Sequence, residues 1–155
     1  MIKGLYEAHL PVSNLARSIE FYKKLELELA FQNDILAFFW IEKGRSWLGL
    51  WETDQVQTPY HPSLRHVALH VDKKDIEHAK EWLGDKGIQI KMAFDFPPDR
   101  QPLVLPNNPH AHAAIYFQDP DGNSLELITP LRLDVEEDFP MMSLEEWSKG
   151  SGYSK

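Results

Sequence analysis

The chain has 155 residues, an apolar fraction of 43%, a net charge of −8 and no cysteine. This length fits one domain with a real core, and the lack of cysteine excludes disulfides, thiolate metal sites and a thiol nucleophile. The negative charge argues against a nucleic-acid partner, because neutralising phosphates requires clustered lysine and arginine. No apolar run reaches the roughly 18 residues of a membrane helix, and the N-terminus enters a strand pattern directly. We therefore predict a cytoplasmic protein with no membrane partner and a small-molecule ligand.

The first third of the chain predicts a strand, a helix and three further strands. Residues 5–12 alternate between apolar and polar side chains, which is typical of a strand. Ser13 is the predicted helix N-cap, and apolar residues follow it at helical spacing. The next three strands are predicted over residues 27–31, 35–42 and 46–52.

The same plan recurs after a polar linker over residues 53–63. Residues 65–71 alternate again, Asp72 takes the N-cap position, and an apolar stripe follows at helical spacing. The remaining strands of this second half are predicted over residues 88–94, 113–118 and 123–129, with a proline-rich loop after the first of them.

Two tandem βαβββ modules therefore describe most of the chain, which is an α+β fold. We predict modules at about residues 2–52 and 64–129 within a single domain over residues 1–130. Residues 131–155 form an acidic C-terminal extension, with a short helix predicted after Ser143. This extension is interpreted as a surface appendage, a lid or a strap between two copies of the chain.

Two segments carry a family resemblance. Residues 12–22 form a strand-to-helix motif, and residues 116–127 form a closing hairpin around the turn Asp-Pro-Asp-Gly. With the tandem modules, they resemble the vicinal oxygen chelate superfamily over residues 2–130, above all its small bacterial glyoxalase-like and fosfomycin-resistance members. The resemblance implies curved sheets around a central cleft, a divalent metal that chelates vicinal oxygens of the substrate, and a homodimer.

The resemblance also implies positions for the metal ligands. The first position, five residues before the valine that ends strand one, is Glu7, and its counterpart in the second half is His66. The closing strand supplies Glu126, whereas the equivalent point of the first module is Gly49, which offers no side chain. One histidine and two carboxylates suit Mn²⁺, Fe²⁺, Zn²⁺, Co²⁺ or Ni²⁺ with open positions for substrate.

Two residues are predicted to be catalytic. His9 shares the face of Glu7 and lies roughly 7 Å further along the strand, where it would replace Glu7 as ligand or act as a base. Glu126 lies between two leucines on a buried strand, which is costly for a carboxylate unless it is paired or bound to metal.

Four further side chains are predicted to contact the substrate. Trp47 and Trp51 share a face and would give the cleft an aromatic wall, with core packing as the alternative. His112 precedes a strand of the second module, and Arg100 is a cation suited to an anionic group. The alternatives for these last two are a loop position and a surface position.

These residues favour a divalent-metal-dependent lyase, isomerase or transferase. A full glyoxalase I site is disfavoured by Gly49, and thiol addition of the fosfomycin type fits three ligands better, although residues 95–112 show no antibiotic-binding pattern. An extradiol dioxygenase would need His9 to ligate in place of Glu7. A non-catalytic protein that sequesters an aromatic or cationic compound is the alternative from another class, and a subunit with a vestigial site is the third.

Overall fold

The computed structural model describes residues 1–61, 63–106, 110–132 and 139–150. The chain forms two compact units. The first unit comprises Met1–His66 with Asp119–Asn123, and the second comprises Val67–Gln118 with Ser124–Lys155. No helix in the described ranges is long and apolar enough to cross a membrane.

The first unit contains one helix and a four-stranded sheet. Its elements are β1 (Glu7–Val12), α1 (Leu15–Lys24), β2 (Leu29–Gln32), β3 (Leu36–Glu42) and β4 (Ser46–Glu52). The strand order is β1-β4-β3-β2, with β1 parallel to β4 and antiparallel pairing elsewhere. The predicted βαβββ module is confirmed here.

Helix α1 begins one residue later than predicted. Its N-cap is Asn14, whose side chain accepts from the backbone N–H of Arg17 at 2.9 Å. The Ser13 prediction was wrong, because the Ser13 hydroxyl donates to Asp121 at 2.5 Å and does not cap the helix. The buried face of the helix includes Tyr22, whose hydroxyl donates to Asp119 at 3.1 Å.

The two motifs that carry the family resemblance contact each other within this unit. Asp121, from the turn of the closing hairpin, also accepts from Arg17 at 2.8 Å beside the helix start. Arg65 donates to Asn123 at 2.7 Å and to the carbonyl of Asp121 at 2.8 Å, and its guanidinium lies over the Tyr60 ring. These motif residues therefore stabilise the fold, and Arg65 has a structural role.

The second unit repeats the sheet and extends it. Its elements are β5 (His66–His70), α2 (Lys73–Ile76), α3 (Ala79–Asp85), β6 (Leu103–Leu105), β7 (Ala111–Gln118), β8 (Ser124–Arg132), β9 (Met142–Ser143) and α4 (Leu144–Lys149). The order β5-β8-β7-β6 matches that of the first sheet, and β9 is added beyond β6.

The strand predicted over residues 88–94 was wrong. Only isolated bridges occur there, and the chain turns back where Phe94 and Asp95 take φ values of 48° and 63°. The strand that takes this place in the sheet is β6, in which Leu103 pairs with Ala114 of β7. Because β6 has three residues and follows a proline, it lacks the alternation that identifies longer strands.

The C-terminal extension packs on the second unit. The helix predicted after Ser143 is confirmed, and Ser143 with Glu146 forms a capping box at its start. Phe139 and Trp147 are each 5% exposed and pack with Val104 and other buried side chains. The described part of the extension is thus a layer of the core, and residues 133–138 and 151–155 of the predicted extension lie outside the described residues.

Candidate functional site

Glu7 lies on an aromatic face of the first sheet. It is paired with Trp47 in the β1–β4 register, and the indole Nε1 of Trp47 donates to its Oε2 at 2.7 Å. The rings of Phe38 and Trp40 lie 5.1 and 5.3 Å from that of Trp47. The Glu7 side chain keeps 45% of its surface exposed, so one carboxylate oxygen remains available on an aromatic surface.

His9 is held in one orientation. The indole Nε1 of Trp51 donates to Nδ1 of His9 at 2.6 Å, so in neutral His9 the proton is assigned to Nε2. That Nε2 lies 3.5 Å from Oε1 of Glu7. The extradiol interpretation requires His9 as a ligand, and Trp51 leaves only Nε2 for this.

His9 also explains why the first module has no ligand at position 49. A Cβ on Gly49 would lie 2.3 Å from Nδ1 and 2.6 Å from Cε1 of the His9 ring. The imidazole therefore occupies the space into which a side chain at this position would project. The shared face of Trp47, Gly49 and Trp51 is confirmed, because they pair with Glu7, His9 and Pro11 respectively.

The second unit holds a buried carboxylate at the equivalent strand. Glu126 is 6% exposed and pairs with Tyr116 across the β7–β8 register. Burial raises the pKa of the Tyr116 hydroxyl, as do the charge of Glu126 and the hydrogen bond between them. The Tyr116 hydroxyl therefore stays protonated and donates a hydrogen bond to Glu126.

Sequence reasoning missed Tyr116 as a functional residue. The predicted turn over residues 119–122 would align Gln118 with Asn123, whereas Gln118 pairs with Ser124 in the structure. This shift of one residue places Tyr116 opposite Glu126. A tyrosine that donates to a metal-binding carboxylate fixes its orientation, as outer-shell groups of metal sites do.

His66, the third predicted ligand, is exposed at the start of β5, the strand next to β8. The donor types of Glu7, His66 and Glu126 fit a borderline-hard divalent ion. Within the described ranges, no three His, Cys, Asp or Glu side chains come close enough to hold one metal ion. The three-ligand set stays a prediction.

The other two predicted substrate residues have different surroundings. Arg100 donates to both carboxylate oxygens of Glu146 at 2.9 Å and lies 4.7 Å from the centre of the Phe96 ring, which is a structural role. His112 lies beside His110, and the Nδ1 atoms of both are buried without a hydrogen-bond partner among the described residues. Burial lowers the pKa of His112, and the charge of His110 adds to this effect, whereas a hydrogen bond with the His110 backbone opposes it.

Comparisons with known proteins agree with the fold described above. The chain is 28% identical over 155 residues to the metallothiol transferase FosB of Staphylococcus saprophyticus, covering 96% of this chain and 94% of that protein. Its fold is similar to a glyoxalase/bleomycin resistance protein/dioxygenase of Alicyclobacillus acidocaldarius, with TM-score 0.65, 18% identity and coverage of 83% and 92%. It is also similar to the fosfomycin resistance protein FosX of Mesorhizobium loti, with TM-score 0.57, 22% identity and coverage of 83% and 93%.

The family model matches residues 4–127, which span both modules. The motifs at residues 12–22 and 116–127 lie within this match, and the two sheets with the same strand order are the expected glyoxalase-like fold. The chain belongs to the Glyoxalase/Bleomycin resistance protein/Dioxygenase superfamily, the vicinal oxygen chelate group.

Proposed function

We propose that this protein is a divalent-metal-dependent transferase that adds a thiol to a small epoxide of the fosfomycin class. In this reaction the sulfur–carbon bond forms, a carbon–oxygen bond of the epoxide breaks, and the thiol proton ends on the released oxygen. The observation that carries the proposal is the buried Glu126 carboxylate, held by Tyr116 at the ligand position of the family. The metallothiol transferase named among its relatives supports the reaction type.

The thiol must come from a co-substrate. The chain has no cysteine, so it cannot supply the sulfur nucleophile itself. The proposed enzyme therefore has two small-molecule substrates, and we propose that it acts in the cytoplasm as a homodimer.

Glu7, His66 and Glu126 would hold the metal, which is Mn²⁺, Fe²⁺, Zn²⁺, Co²⁺ or Ni²⁺ in this proposal. A bound divalent ion supplies Lewis-acid stabilisation of negative charge on the substrate oxygen. The hydroxyl of Tyr116 orients the carboxylate of Glu126, and the indole of Trp47 orients that of Glu7.

His9 is the proposed residue that contacts the reacting oxygen. Its Nδ1 accepts from the Trp51 indole, so the Nε2–H of neutral His9 would donate a hydrogen bond to the released oxygen and stabilise its negative charge. Because Nε2 also lies 3.5 Å from Glu7, its proton is directed toward the carboxylate face of the sheet. Trp51 is 42% exposed, so part of its ring is available to the substrate.

A non-catalytic binding protein is the second candidate. Trp47 contacts the half-exposed Glu7 carboxylate, and the rings of Phe38 and Trp40 pack against Trp47. Such an aromatic surface with one negative charge suits an organic cation. Saturable binding without turnover would favour this candidate.

The test is formation of the adduct. The protein is loaded with Mn²⁺, Zn²⁺, Co²⁺ or Ni²⁺ in turn and incubated with fosfomycin and either cysteine or glutathione, and the adduct is detected by mass spectrometry. We expect turnover in the wild type, loss of it in Glu126→Gln, and retention in the control Glu145→Gln, whose carboxylate is exposed on α4. No adduct with any metal and thiol would contradict the proposal.

A further inference from the structure

Phe94 lies in a turn whose backbone conformation phenylalanine rarely adopts. Ala93 and Phe96 exchange backbone hydrogen bonds at 3.1 and 2.8 Å, and the two residues between them have positive φ values of 48° and 63°. This is a two-residue hairpin turn of the type that favours asparagine and glycine. A phenylalanine with positive φ is strained, because its Cβ crowds the neighbouring backbone.

Burial of the side chain does not compensate for this strain. Phe94 remains 57% exposed, and its ring contacts that of Tyr116 edge-on, with 5.7 Å between centroids. A large aromatic side chain that is both strained and exposed points to a role outside folding.

The turn is fixed to the strand that carries Tyr116. The side chain of Gln101, which is 4% exposed, donates to the Lys91 carbonyl at 2.5 Å and accepts from the backbone N–H of Tyr116 at 3.0 Å. The backbone N–H of Lys91 donates to the carbonyl of Tyr116 at 2.8 Å. These bonds hold Phe94 against Tyr116, whose hydroxyl in turn contacts Glu126.

We propose that Phe94 is a substrate-contacting residue that determines specificity. Its exposed ring forms an apolar wall next to the Tyr116–Glu126 pair and contacts the hydrocarbon part of a small molecule whose oxygen is directed toward Glu126. This assignment rests on the proposed function and adds that the favoured substrates carry an alkyl or aromatic substituent.

The experiment compares Phe94→Asn, Phe94→Leu and the control Met92→Asn, since Met92 is 67% exposed and precedes the turn. Asparagine suits a positive φ, so we expect Phe94→Asn to raise Tm by about 2–4 °C. The same variant should lower kcat/KM for fosfomycin about tenfold, chiefly through KM, as expected for lost apolar contact. Phe94→Leu should shift the preference among epoxides with different substituents, and Met92→Asn should change neither property.

Three results would overturn the assignment. A lower Tm in Phe94→Asn would show that Phe94 serves packing. An unchanged substrate preference in both Phe94 variants would show that Phe94 does not contact the substrate. A change of molar mass in solution by light scattering would place Phe94 in an interface between copies.

If the wild type binds fosfomycin without turnover, the proposed reaction fails alone, and Phe94→Asn must then weaken that binding about tenfold for the assignment to stand. If the wild type does not bind fosfomycin either, both proposals fail.

Discussion

The two units share one order for four of their strands, but the equivalent strands β4 and β8 carry different residues at equivalent positions. In the first unit, β4 carries Gly49, and the ring of His9 fills the space above it. In the second unit, β8 carries Glu126, buried and hydrogen-bonded by Tyr116. The first unit thus presents half-exposed polar groups on an aromatic face, and the second encloses one carboxylate.

This difference shows that a repeated backbone does not require repeated chemistry. A side chain from a neighbouring strand, His9, fills the space that corresponds to the Glu126 side chain in the other module. Gly49 is therefore explained by close approach of a side chain, rather than by backbone conformation, since its φ lies outside the positive region.

The largest expected effect concerns the layer that only the second unit has. Trp147→Ala removes a ring that packs with Phe139 and Val104, and it should lower the free energy of unfolding by about 3–5 kcal/mol. Urea denaturation of the full chain measures this change. Ser148→Ala on the exposed side of α4 is the control, and a loss below about 1 kcal/mol in Trp147→Ala would mean that the extension is only a surface appendage.

A single substitution tests the close contact between Gly49 and the His9 ring. Gly49→Ala places a Cβ within 2.6 Å of two His9 ring atoms, so it should displace the ring and cost about 1–3 kcal/mol of stability. Gly84→Ala is the matched control, because nothing lies within 4 Å of its Cβ and alanine favours the helix by about 1 kcal/mol.

Adding His9→Ala to Gly49→Ala should recover most of the lost stability. This double-mutant cycle isolates the contact between the two positions. Equal losses in the single and double variants would show that the His9 ring is not what excludes a side chain at position 49.

A smaller effect, at alkaline pH, is common to the two units. Burial raises the pKa of Tyr22 well above its usual value, and the charge of Asp119 and their hydrogen bond add to this. The folded form retains a proton that the unfolded chain loses above about pH 10, so this stabilisation is complete below pH 10 and falls as the pH rises further. Tyr116 in the second unit shifts in the same direction.

Tyr22→Phe should therefore cost about 1 kcal/mol at pH 8, from the lost hydrogen bond to Asp119, and should reduce the decline of Tm between pH 9 and 11. Thermal unfolding monitored by circular dichroism across this range tests both statements. Tyr6→Phe serves as the control, because Tyr6 is 59% exposed. An unchanged decline in Tyr22→Phe would contradict the assignment.

Much of the fold could be predicted from period-two and helical patterns alone. The succession of strands and helix in the first module and the helix after Ser143 follow from local alternation and capping residues, which depend on neighbours in sequence. Strand β6 could not be found this way, since three residues are too few to show a period. The turn at Phe94 was hidden because phenylalanine is atypical of positive φ.

The candidate site was predictable in its residue types and less so in its contacts. Strand parity placed Glu7 and His9 on one face of β1, and Trp47 and Trp51 on one face of β4. The register adds that these residues lie on the same face of the sheet. The orientation of His9 over Gly49 depends on a side-chain rotamer and on the Trp51 hydrogen bond, and neither has a sequence period. Such contacts emerge only when two strands are placed side by side.

The proposed function depends on the proposal that Glu126, His66 and Glu7 hold a divalent metal ion. Elemental analysis after mild purification, on the wild type, His66→Ala and Glu126→Ala, tests it most directly. We expect close to one divalent ion per chain in the wild type and loss of it in both variants, with Glu145→Gln unchanged. Wild-type protein without metal, even after reconstitution with Mn²⁺, Ni²⁺ and Zn²⁺, would contradict the claim and favour the binding protein.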